Sequence, residues 1–127
     1  MRRILMSCLL AWLPLQTMAQ ALDAGVVVGN ESALSIAIVP MPYQGSRTAP
    51  AHDVAKVIRD DLNQSGQFKS LDEAAITEKP LRGADVRFPE WKKLKQDFLV
   101  VGRIVDGVDG NFSIQYELMD VAKQQSL

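Results

Sequence analysis

Three consecutive pieces decide the fold of this chain: Phe98-Leu99-Val100-Val101-Gly102-Arg103-Ile104-Val105, the turn formers Asp106-Gly107 and Asp109-Gly110, and Phe112-Ser113-Ile114-Gln115-Tyr116-Glu117-Leu118-Met119. The first is a near-continuous apolar run of strand type. Such runs belong to central strands covered on both faces. The last alternates, with Phe112, Ile114, Tyr116 and Leu118 on one side and Ser113, Gln115 and Glu117 on the other. Clean alternation reads as a half-buried antiparallel strand. The Asp-Gly pairs make the connection rich in turn formers.

Working upstream, Ser35 to Val39 reads as a buried strand, β-branched at Ile36, Ile38 and Val39 and ended by Pro40. Met41 to Ala49 is a loop broken by Pro42, Gly45 and Ser46. Pro50 to Ser65 is the clearest helix, with proline in its first turn and Asp53 near the positive end of its dipole. Val54, Val57, Ile58 and Leu62 form its apolar stripe, Lys56 and Asp60 are four apart on the outer side, and Gly66 stands past its end. Gln67 to Leu71 is a short extended piece. Asp72 to Val86 is polar and irregular, with one helical turn near Ala74 to Ile76. Phe88 to Gln96 is a shorter helix opened by Pro89, with Trp91 and Leu94 inward. The order strand, helix, strand, helix, strand, strand predicts an α/β (α+β) domain: a mixed β-sheet with two main helices packed on one face.

The first 21 residues stand apart. Arg2 and Arg3 precede an apolar run from Ile4 to Leu15, and Ala19-Gln20-Ala21 has the small-x-small pattern read by signal peptidase. The run is too short to span a bilayer, which needs roughly 20 residues, and Pro14 interrupts it. Residues 1–21 therefore read as a secretory signal, with cleavage after Ala21 or, second, after Ala19. Cys8 would leave with it, so neither a disulfide nor a thiol nucleophile is expected. The whole chain carries 14 basic and 15 acidic residues. The leader takes two of the basic ones and none of the acidic ones. That balance suits a soluble exported protein and gives no electrostatic footprint for nucleic acid. The 47% hydrophobic content of the 127 residues fits one packed domain over 35–127. Leu22 to Leu34 is an arm ahead of it, with the strand-like Val26-Val27-Val28 between Gly25 and Gly29-Asn30.

No catalytic constellation is visible, and no cofactor or metal site is expected. His52 is the one histidine, and a triad needs a nucleophile and an orienting acid around it. Asp60 and Asp61 are neighbours on a helix and point about 100° apart, so they read as a solvated face. Lys92, Lys93 and Lys95 form a small basic cluster that also reads as a solvated face rather than an anion site. Tyr43, Phe88 and Trp91 are either core anchors or contact residues, with core the default for Trp91.

Taken together these residues resemble the TolB family over Ser35 to Asp120. The resemblance is carried by Ser35-Ile36-Ala37-Ile38-Val39-Pro40, by Asp61-Leu62-Asn63-Gln64-Ser65-Gly66-Gln67-Phe68 with Leu71-Asp72, by the Trp91 helix, and by Phe98-Leu99-Val100-Val101-Gly102 with Asp109-Gly110 and the strand that follows. It implies a periplasmic, non-catalytic interaction domain of the Tol-Pal system, which supports outer-membrane integrity and invagination during cell division and is linked to protein transport. It further implies that the arm meets a TolA-type inner-membrane partner. Asp23, Val26, Val27 and Val28 are its best matches to the family's arm. The family's β-propeller, which carries the Pal site, has no counterpart here, so Pal binding does not carry over. The domain is expected to be truncated after its last strand. A small periplasmic regulatory or solute-binding domain on a related scaffold is the competing reading, and a cavity lined by polar groups between sheet and helices would favour it.

Overall fold

The computed structural model describes residues 32–127. The signal, with Ala19 and Ala21, and the arm residues Asp23, Val26, Val27 and Val28 lie outside the described residues. Among the described residues, five strands form one mixed sheet: β1 (Leu34–Ile38), β2 (Phe68–Ser70), β3 (Phe98–Asp106), β4 (Phe112–Asp120) and β5 (Gln125–Ser126). Their order across the sheet is β2-β1-β3-β4-β5. β1 runs parallel to both β2 and β3, while β3–β4 and β4–β5 are antiparallel. The helices are α1 (Val54–Gln64) and α2 (Phe88–Lys93).

The mixed sheet and the two helices agree with the sequence reading. The side each helix takes differs from it. α1 brings Val54, Ala55, Ile58 and Leu62 onto the face carrying Ile36, Ile38, Val100 and Ile104. α2 brings Phe88, Trp91 and Leu94 onto the opposite face, with Ala37, Val39, Leu99 and Val101. The cause is alternation in β1 and β3. Both strands are apolar at successive positions, so each offers an apolar face in both directions and one helix cannot cover both.

α1 starts later than its sequence suggests. Pro50 precedes the helix, and Asp53 is its N-cap: extended at φ −76°, ψ 102°, it accepts a hydrogen bond from the Lys56 amide at 3.0 Å. The buried side is also rotated. Ala55 and Arg59 lie deepest, whereas Val57 is half exposed. Arg59 belongs inside because its guanidinium donates to the Ile38 carbonyl at 3.1 Å and pairs with Glu73 at 2.9 Å. A buried charge is tolerated when its donors are used in this way. The Lys56–Asp60 pair forms at 2.6 Å, and Gly66 follows the helix at φ +73°, where a side chain would be strained.

α2 ends sooner than expected. Lys95 takes φ 57° and its amide returns to Lys92, so the chain turns into β3. Trp91, 1% exposed, fills the space under this helix and is a core residue. The β3–β4 ladder runs unbroken from Phe98↔Asp120 to Asp106↔Phe112. Asp109 (φ 54°) and Gly110 (φ 79°) turn it, the pairing of left-handed residues that a tight hairpin connection needs.

Candidate functional site

The alternation in β4 is present, but its apolar side is not covered as a half-buried strand would be. Phe112 is 40% exposed, Ile114 43% and Tyr116 67%. α1 lies over β1 and β2 and leaves the β4 end of that face open. The result is a groove of about 570 Å³ between α1 and β4, bounded by Leu34, Ile58, Leu62, Phe68, Tyr116 and Leu127 and presenting no polar surface. Among the described residues, nothing covers this apolar surface.

Two polar clusters stand at the two ends of β3. At the start of β1, the Ser35 amide and hydroxyl donate to the Asp97 carboxylate at 3.1 and 2.8 Å, and the Asp97 amide donates back to the Ser35 hydroxyl at 2.9 Å. This fixes Leu34, and with it the point where the preceding chain reaches the groove. At the other end, Asp106 gathers the loop after β1. Its carboxylate accepts from the Tyr43 hydroxyl, from the Ser46 amide and hydroxyl at 2.9 and 3.0 Å, and from Arg47 Nε at 3.1 Å. The Arg47 guanidinium also reaches the Asn111 carbonyl and lies 5.1 Å from the Phe112 ring centre. Tyr43 meets the same ring edge-on at 5.6 Å. Gly45 is required beneath this cluster, because a Cβ there would land on the Tyr43 hydroxyl and the Asp106 carboxylate. The Ser46 amide, then the Tyr43 hydroxyl, then Arg47 hold the Asp106 carboxyl well below the usual carboxylate range. Desolvation and the Asp106 hydrogen bond push the Tyr43 phenol up. The arrangement is a latch tying the loop to the hairpin.

The polar candidates do not converge. His52 borders a second cavity of about 550 Å³ at the end of β1, together with Asp53 and Lys79. The Asp53 carboxylate is already committed to capping α1. Lys56 takes Asp60 while Asp61 is exposed, and Lys93 pairs with Glu90 at 3.2 Å on the outside of α2. No group of three or more His, Cys, Asp or Glu among the described residues could hold a metal ion. No helix among them is long and apolar enough to cross a membrane. The arm residues Asp23, Val26, Val27 and Val28 lie outside the described residues, but Leu34 shows where their segment joins the sheet.

The model of the TolB amino-terminal domain matches residues 22–127. The chain belongs to the TolB amino-terminal domain family. It is 50% identical over 117 residues to the Tol-Pal system protein TolB of Xanthomonas oryzae and equally to that of Xanthomonas campestris. Those alignments cover 91% of this chain and 27% of each relative, so the chain spans about a quarter of the length of the curated relatives it matches. Among solved structures, TolB from Acinetobacter baumannii aligns at TM-score 0.54 and 27% identity, over 74% of this chain and 21% of that one. The LpoB C-terminal domain from Salmonella enterica aligns at TM-score 0.53 over 75% of this chain and 76% of its own, at 11% identity, a likeness of fold alone. Within this TolB amino-terminal domain, the groove and the open side of β4 are what sequence reasoning missed.

Proposed function

We propose that the chain is a periplasmic, non-catalytic interaction domain of the Tol-Pal system, and that its arm, Leu22 to Leu34, contacts a TolA-type inner-membrane protein. The observation that carries this reading is the match of residues 22–127, arm included, to the TolB amino-terminal domain. Val26-Val27-Val28 supplies the β-branched sequence with which a segment adds to a partner's sheet edge. Backbone hydrogen bonds then give affinity and alternate side chains give specificity. The leader over residues 1–21 supports the address. Pal contacts belong to the propeller of the longer relatives and are not proposed for this chain. The solute-binding alternative finds little support, since the groove has no polar lining and the second cavity offers few free polar groups.

Calorimetric titration of the chain with the C-terminal domain of a TolA protein tests the proposal. Deleting residues 22–33 should abolish binding while leaving the far-ultraviolet spectrum unchanged. Unchanged affinity after the deletion would sink the arm assignment.

A further inference from the structure

We draw no further inference here: the strongest candidate, the apolar groove between α1 and β4, carries nothing, because nothing in the structure shows what covers it.

Discussion

The two faces of one sheet have opposite fates. Under α2, Trp91, Leu99, Val101 and Val121 are at most 1% exposed, and Met119 reaches only 4%. Across the sheet, on the α1 face, β4 leaves Phe112, Ile114 and Tyr116 between 40% and 67% exposed. Both faces are apolar, so hydrophobic content does not separate them. What separates them is how far each cover reaches. The short α2 and the irregular segment before it bring Phe88, Trp91, Leu94, Ile76 and Val86 to a face that Met119 of β4 and Val121, just past that strand, also enter. α1 crosses between β1 and β2 and stops short of β4. The α2 face is closed over its whole width, whereas the α1 face is closed over β1 and β3 and open over β4.

The largest expected effect tests the closed face. Trp91→Ala removes a large, fully buried side chain, and neighbouring residues from α2, β1 and β3 cannot all collapse into the space. It should cost about 3–5 kcal/mol, close to the whole stability of a small domain. Urea unfolding of wild type and variant measures this. A loss below about 1 kcal/mol would remove the distinction between the faces.

How much of this was legible depends on what each residue type announces. The hairpin was legible because strands and turns speak locally: alternation from Phe112 to Met119 and two Asp-Gly pairs are enough. Trp91 was legible as core. The start of α1 was not, because Pro50 and Asp53 are both valid opening signals and only the geometry at Asp53 decides between them. Arg59 was missed because an arginine at a helical position reads as surface, and nothing local reveals the Ile38 carbonyl waiting for it. The open groove was missed for a deeper reason. Periodicity says which side chains share a face, but not whether another element reaches over them. The arm residues Asp23 and Val26 to Val28 remain a sequence expectation, since they lie outside the described residues.

Arg59 sharpens the comparison from the α1 side. Arg59→Met keeps most of the volume but loses the donors to Ile38 and Glu73. Glu73 is half exposed and can return to water, so most of the cost falls on the buried contacts. About 1–2 kcal/mol is expected from the same urea measurement. No change would mean that the guanidinium adds nothing beyond its stem.

The Asp106 latch at the rim gives a pH signature. Its folded pKa lies below the ordinary value of 3.8. A carboxylate depressed in this way contributes stability that is complete above about pH 5 and fades as pH falls through 4 and lower. The difference in melting temperature between wild type and Asp106→Asn should therefore be larger at pH 7 than at pH 3. An equal difference at both values would show that the hydrogen bonds from Tyr43, Ser46 and Arg47 do not favour the charged form.

The smallest effect is the most diagnostic. Ile114 and Leu99 are both aliphatic residues in neighbouring strands, one 43% and the other 0% exposed. Leu99→Ala should cost about 2–5 kcal/mol. Ile114→Ala, measured in dilute solution, should cost about 1 kcal/mol or less, because much of its surface is already in water. The ratio matters more than either value. If Ile114→Ala approached the cost of Leu99→Ala in dilute solution, the side chain would have to be covered in the monomer. The groove would then be closed by some other segment of the same chain. A small cost leaves Ile114 outside the core that holds the domain.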